Sequence, residues 1–363
     1  KIFQGSKNTD FRMTDIRKII PDENKLITTF DRVITYDHLV IATGCRSNYF
    51  GNEEVKEHAF AMKTTQDAID IRNKILFSFE KEIFARPEEK QAWMNIIIVG
   101  AGATGVELSG AFAELKKEVL PKDYRNVDFT KFNIYLVEGS KYSLNNMSEA
   151  SREASRKYLD QLGVIVKTET LLTHYDGNVA VLSTGEKIAT KNVIWAAGVT
   201  GNIVEGIDEK DLIHNRYIVD RTNKLIHYDN IYAIGDVAYM ETPRYPHGHP
   251  QVANVAINQA KNLGRNFKSA LKHPKRALKP YEYTDLGMMA TVGKHKAVVE
   301  LPFLKFKGPL AWYTWMFLHL MLILSVRNKI VIFFNWAWSY FTKDTSLRLI
   351  TFIDYKKEKI VDE

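Results

Sequence analysis

The sequence predicts an α/β fold with two sheets and a helical tail, on three observations. Residues 95–118 read as an apolar strand, a glycine turn and a helix; the runs at 38–44 ("HLVIATG") and 230–236 ("NIYAIGD") share one pattern, a short apolar strand stopped by glycine. Two aromatic, strongly apolar segments follow at 309–326 and 330–341. A chain of 363 residues has room for two or three domains. Its 45% hydrophobic and 26% charged content excludes a disordered, collagen-like or polytopic membrane chain.

The elements follow in order. The opening "KIFQGSKNTDFRMTDIRKIIPDENKLIT" has neither a signal-peptide core nor an evident first core element, and it reads as a chain whose N-terminus is missing. Ile69, Arg72, Ile75, Leu76 and Phe79 recur at helical spacing within 65–85. After the strand–turn–helix unit, "KFNIYLVEGS" is a strand ending in an acid. A helix over about 148–162, a strand at 163–167, short pieces joined by "STGEK" and the strand "NVIWAAG" complete a βαβ-like domain. The two glycine-ended strands mark two separate nucleotide-handling sheets. A helix over about 250–271 and strand-like "YEYTDLGMMATVGKHKAVVEL" lead into the tail.

Charge and cysteine content narrow the chemistry. The net +7 is uneven: residues 1–260 carry 32 Lys and Arg against 35 Asp and Glu, and 261–363 carry 18 against 8. The basic region suits an anionic surface. Cys45 is the single cysteine, so an intrachain disulfide, a Cys-x-x-Cys pair and a cysteine zinc cluster are excluded, and no metal site is expected. Redox chemistry then needs a bound organic cofactor.

Gly100, Gly102 and Gly105 form G-x-G-x-x-G between strand and helix, with Thr104 inside the loop. In that context Gly100 turns the chain, Gly102 admits a pyrophosphate and Gly105 lets helix and strand pack closely, with the helix N-terminus facing phosphate. The ribose acid is Glu138, 33 residues after Gly105, the excess spacing being the polar insertion "PKDYRNVDFTK". The reading beside it is a glycine turn with a solvated Glu138. No Arg adjoins Glu138, so NADH is expected over NADPH.

The "ATG" strand end (Ala42, Thr43, Gly44), the glycine loop, "WAAG" with Gly198, and "IYAIGD" together resemble the flavoprotein reductases that bind two dinucleotides. With "GAGATGVELSGAFAEL", "GHPQVANVAINQAKNLGRNF", "DLGMMATVGKHKAV" and the aromatic tail, the chain resembles a bacterial type II NADH dehydrogenase, a single-subunit NADH:quinone oxidoreductase. That resemblance implies FAD and NADH as cofactors, hydride transfer from NADH to the flavin, and two electrons passed to a membrane quinone without proton pumping. It implies that Gly235 and Asp236 meet FAD, Asp236 through a ribitol hydroxyl at a helix start, where an N-cap is the other role for an Asp. It places the N–H groups at Ala253 and Asn254, where a helix begins, toward the flavin carbonyls. Asn254 and Asn258 stand where the family has a glutamine pair at the quinone. A shorter amide reaches that quinone from about 1.5 Å further back or through water; two polar residues on a packed helix face are the alternative. Glu107 matches a family carboxylate toward the nicotinamide and flavin, a proton relay or nicotinamide contact, against a Glu in the first helical turn that complements the dipole.

The family begins with an FAD-binding strand and glycine turn of which this chain has no trace. The domains expected are therefore 1–63, a truncated first part of the FAD-binding domain; 64–200, the NADH-binding domain; 201–300, the second FAD-binding part; and 301–363, a membrane-associating region. Without that segment, the chain is expected to hold FAD poorly.

Residues 310–326 carry no formal charge and as a helix span about 25 Å, short of the roughly 30 Å hydrocarbon core. Residues 330–341 are shorter, and Arg327, Asn328 and Lys329 are too brief a link for a spanning hairpin. Trp312, Trp315, Trp336 and Trp338 beside basic residues give an interfacial pattern, so two helices lying on an anionic lipid surface are expected, peripheral on the cytoplasmic face of a bacterial inner membrane. A span and a homodimer interface are the other uses of such segments, and nucleic acid is not expected. His319 either borders the quinone passage or is structural. The other functions considered are a flavin reductase for a soluble acceptor such as ferredoxin, and an NADH-binding membrane-attached protein without turnover.

Overall fold

The computed structural model describes residues 5–323 and 325–342. The chain divides into two compact units, Lys1–Arg46 with Val199–Thr284, and Ser47–Gly198 with Asp285–Glu363. The unit boundaries fall after Arg46, Gly198 and Thr284, the second of them within two residues of the expected 200. Residues 47–63 lie in the second unit because Val55 and Ala59 are buried with Val193 and Trp195, and Phe60 pairs with Ile194.

In the first unit, the strands Leu39–Ile41 and Ile231–Ala233 run parallel in register, Leu39 beside Ile231 and Ile41 beside Ala233. The two glycine-ended strands therefore belong to one sheet rather than marking two. Their shared direction brings the turns after them, at Gly44 and Gly235, to one end of the pair. The opening segment also holds a core element, contrary to expectation. Strand Ile16–Ile20 starts an antiparallel sheet with Lys25–Thr28 and Val33–Thr35, and Ile19 is buried among Tyr217, Leu225 and Ile231. Only Ile19 of that strand is fully buried, so its alternation is too faint to read. Helix Ala253–Lys272 buries Val255 and Leu263 together with Gln259, Asn262 and Asn266. Asn262 and Asn266 both donate to the Lys279 carbonyl at 3.0 Å, which satisfies these amides inside the core.

The second unit is built on a five-stranded parallel sheet in the order Phe60–Ala61, Asn192–Trp195, Asn95–Val99, Asn133–Val137, Ile165–Lys167. Every residue of the central strand Asn95–Val99 is buried, as its unbroken apolar run requires of a strand covered on both faces. Ile96 and Ile98 meet helices Thr65–Phe84 and Ala103–Glu118 through Ile75, Phe79, Val106 and Phe112. Ile97 and Val99 face the other way, onto Leu172, Tyr175, Ala180 and Leu182 of a small antiparallel sheet. Thr64 and Asp67 close a capping box that starts the first of these helices.

A second antiparallel sheet, Met288–Gly293, Lys296–Leu301 and Leu304–Lys307, packs against helix Ala103–Glu118. The approach is close enough that a Cβ on Gly110 would lie 1.8 Å from the Val292 carbonyl oxygen. Helices Pro309–Leu322 and Val326–Thr342 follow. Arg327, Asn328 and Lys329, expected as their link, lie in the second helix. No helix among the described residues is long and apolar enough to cross a membrane. Residues 343–363 of the expected membrane-associating region lie outside the described residues.

Candidate nucleotide and electron-transfer site

The glycine loop joins the end of strand Asn95–Val99 to helix Ala103–Glu118. Gly100 has φ +100°, and a Cβ there would meet the Ala197 backbone at 2.8 Å. A Cβ on Gly105 would lie 1.8 Å from the Gly100 carbonyl oxygen, so helix and turn touch at this point. Gly102 is different: it is the N-cap, no side chain caps the helix there, and a Cβ would find open space. Turn, close packing and open cradle thus fall on the three glycines as the motif demands. The free N–H groups beside Gly102 suit a pyrophosphate, and the residues fit a dinucleotide. Thr104 is exposed in the first helical turn. Glu138 directly follows strand Asn133–Val137, and its carboxylate accepts from the Ala101 N–H at 2.6 Å and the Ser140 N–H at 2.8 Å. It is a fixed acceptor at the loop rather than a freely solvated side chain. Gly198, φ +71°, closes the same sheet's end, with Phe50 against the place of its missing Cβ.

In the first unit Thr43 donates to the Asn202 carbonyl at 2.6 Å and Gly44 takes φ +69° with open space around it. Ala42 is exposed in this turn. Gly235 and Asp236 lie in a short 3₁₀ turn whose N-cap is Ile234, so Asp236 is not the N-cap. Its carboxylate instead accepts from the Cys45 thiol at 2.9 Å, and its carbonyl accepts from Gln251 at 2.8 Å. Gln259, fully buried, accepts from the Gly235 N–H at 2.7 Å. Helix Ala253–Lys272 starts after Val252 without a side-chain cap, leaving the N–H groups at Ala253 and Asn254 available. A glycine turn, a held carboxylate and an uncapped helix start suit the polar groups of a flavin nucleotide. Cys45, Gln251 and Gln259 were not marked by the sequence, since they lie 191, 15 and 24 positions from the groups they hold.

Glu107 is the fifth residue of its helix, beyond the first turn, so complementing the dipole does not explain it. Its Oε1 accepts from the Trp315 indole N–H at 3.1 Å and from the Thr291 N–H at 3.3 Å. Burial pushes its carboxyl above the usual range; these two donors and the nearby His319 oppose the shift. His319 stacks on Trp315 with ring centres 4.0 Å apart and bonds the Trp315 carbonyl through Nδ1. Glu107, Trp315 and His319 thus form one cluster within the second unit. Trp315 and Thr291 were missed because they lie 208 and 184 residues from Glu107.

Residues 1–260 match the pyridine nucleotide-disulphide oxidoreductase family, and residues 286–343 match the NDH2 C-terminal domain. The chain is 31% identical over 320 residues to the type II NADH:quinone oxidoreductase Ndh of Mycobacterium tuberculosis, covering 84% of this chain and 67% of that protein. The chain belongs to the type II NADH:quinone oxidoreductase family. The type II enzyme of Staphylococcus aureus is 28% identical over 80% of this chain and 71% of its own length. The solved structure of Plasmodium falciparum NDH2 in complex with NADH shares the fold, with a TM-score of 0.84 at 19% identity, covering 93% of this chain and 85% of that one.

This type II family member keeps the two asparagines side by side. Asn258 Nδ2 donates to Asn254 Oδ1 at 2.9 Å, one helical turn apart. Each amide retains groups for a further partner.

Proposed function

We propose that the chain oxidises NADH and reduces a membrane quinone, with Glu138 and the Gly102 cradle binding NADH and the Gly235–Asp236 turn binding FAD. When bound, NADH and FAD supply the hydride and its acceptor. The protein's residues orient the two nucleotides and manage protons. The observation that carries the reading is the open cradle at Gly102, at an uncapped helix start and beside a carboxylate fixed by two backbone N–H groups.

Glu138 would accept the adenosine ribose hydroxyls while its negative charge opposes a 2′-phosphate, favouring NADH. Asp236, oriented by Cys45, would accept from a ribitol hydroxyl, with Thr43, Gly44 and the N–H groups at Ala253 and Asn254 as further contacts. Gly100, Gly105 and Gly198 would shape the nucleotide path by their turns and close packing. Asn254 and Asn258 would address the quinone carbonyls. Glu107, kept protonated to higher pH by burial, would hold a proton at its carboxyl for the chemistry, in contact with His319 through Trp315. The tail would lie on an anionic lipid surface at the cytoplasmic face of a bacterial membrane, and a homodimer is a further use of its exposed apolar residues. The relatives are named as NADH:quinone oxidoreductases, so a soluble acceptor such as ferredoxin and a protein without turnover are not favoured.

The test is direct binding. NADH fluorescence should rise on titration with the flavin-free protein, which cannot take the hydride; Gly102→Val should abolish the rise by filling the cradle, and NADPH should bind at least tenfold more weakly. Equal affinity for both nucleotides, or undiminished binding by Gly102→Val, would refute the reading.

A further inference from the structure

We propose that the tip of the hairpin formed by Lys296–Leu301 and Leu304–Lys307 is a third lipid-inserting element, acting with the two tail helices at an anionic bilayer. The inference rests on the membrane-surface reading of the tail. Leu301 pairs with Leu304, so the hairpin turns through Pro302 and Phe303 alone. Phe303 is 100% exposed and Leu304 58% exposed, an apolar tip whose Phe303 no described residue covers. An exposed Phe at a two-residue turn contributes nothing to the core, and a polar residue would serve the turn better.

Register puts the tip on the side of the tail. Residues alternate faces along a strand, so Leu304 shares a face with Phe306, and through their cross-strand partners with Leu301 and Val299. That face is the one helix Pro309–Leu322 covers, with Ala311 and Trp312 packed on Val299 and Phe306. The helix exposes Leu310, Tyr313, Phe317 and Met321, spaced three and four apart along one stripe.

Charge selects the partner. Residues 301–342 contain Lys305, Lys307, Arg327 and Lys329 and no Asp or Glu. Glu300, just before the segment, is occupied: it accepts from the Ser148 N–H and hydroxyl, and Lys305 reaches it at 3.5 Å. A segment of exposed aromatic and aliphatic side chains whose own formal charges are all cationic fits phospholipid headgroups over acyl chains. A protein partner of mixed charge would have no carboxylates here to pair with.

The experiment is sedimentation of the full chain with vesicles of phosphatidylcholine containing phosphatidylglycerol, and with pure phosphatidylcholine. The wild type should bind the anionic vesicles more tightly. Phe303→Ser should lower the partition coefficient about tenfold, which corresponds to ~1.4 kcal/mol, Phe303→Trp should retain it, and Phe84→Ser, altering an exposed Phe on helix Thr65–Phe84, should leave it unchanged. Binding by the wild type with no loss in Phe303→Ser, or an equal loss in Phe84→Ser, overturns the hairpin proposal and leaves the tail reading standing. No binding by the wild type overturns both.

Discussion

Trp315→Phe should keep Glu107 protonated to higher pH. The indole N–H at 3.1 Å is one of two hydrogen-bond donors to Glu107 Oε1, the other being the Thr291 N–H at 3.3 Å. Phenylalanine fills most of the indole's volume and removes the donor, which stabilises the ionised carboxylate more than the neutral carboxyl. A hydrogen bond to a charged group contributes about 1.5–3 kcal/mol. Glu107 is partly open to water, so the lower end applies, close to a tenfold change in the ionisation equilibrium at 1.36 kcal/mol per pH unit. If protonated Glu107 supplies a proton in turnover, activity falls as Glu107 ionises, and the alkaline limb of the pH–rate profile for quinone reduction by NADH should move up by about one unit in Trp315→Phe. Glu107→Gln, which cannot ionise, should lose that limb. Stability gives a second readout. Because burial raises the folded-state pKa above the unfolded one, the stability linked to the protonated carboxyl is fully present below the ordinary carboxyl range and is lost as pH rises through the folded value. Urea unfolding should therefore show Glu107→Gln gaining on the wild type from acid to neutral pH. An unmoved limb in Trp315→Phe, or a limb retained in Glu107→Gln, would refute the role given to this carboxylate.

Gly105→Ala should destabilise the second unit by about 1–3 kcal/mol and weaken NADH binding, since its methyl would meet the Gly100 carbonyl; thermal unfolding and NADH titration check both. Gln259→Leu leaves the Gly235 N–H without its acceptor and should cost about 1–3 kcal/mol in denaturant unfolding, with a higher Kd on titration with FAD. Cys45→Ala removes the thiol that orients Asp236 and should raise the Kd for FAD several-fold without changing the urea midpoint by more than ~0.5 kcal/mol equivalent. Binding to anionic vesicles should weaken steeply between 50 and 500 mM salt, roughly as the Debye length shortens, whereas salt-insensitive binding would place the burden on apolar insertion alone.

The sequence made legible what is local. Gly100, Gly102 and Gly105 revealed their separate tasks because each is fixed by the strand and helix that adjoin it in the chain. Glu138 was recognisable at its strand end despite the stretched spacing. Glu107 stands out in the sequence but its partners do not, because Thr291 and Trp315 approach it only when the antiparallel sheet and the tail helix fold back onto helix Ala103–Glu118. The same limit explains the sheet count. The strands 39–41 and 231–233 look alike for the reason that they pair, and a pairing across about 190 positions leaves no periodic trace. The N-cap offered as the alternative role for Asp236 falls to Ile234, and the turn around it is held by Cys45 and by glutamines on and before helix Ala253–Lys272.

Ala290, Val292 and Val298, from the C-terminal sheet, are buried in the same cluster as Ile96, Ile98 and Val106 of the nucleotide-binding sheet and helix. This has a practical consequence for anyone preparing the protein. Trimming the chain at about residue 285 to remove its greasy end would also strip a wall from the core beneath the glycine loop, uncovering Val106 and Phe112. A soluble version is better sought by polar replacement of Leu310, Phe317, Phe334 and Trp338, which are already exposed, than by deletion.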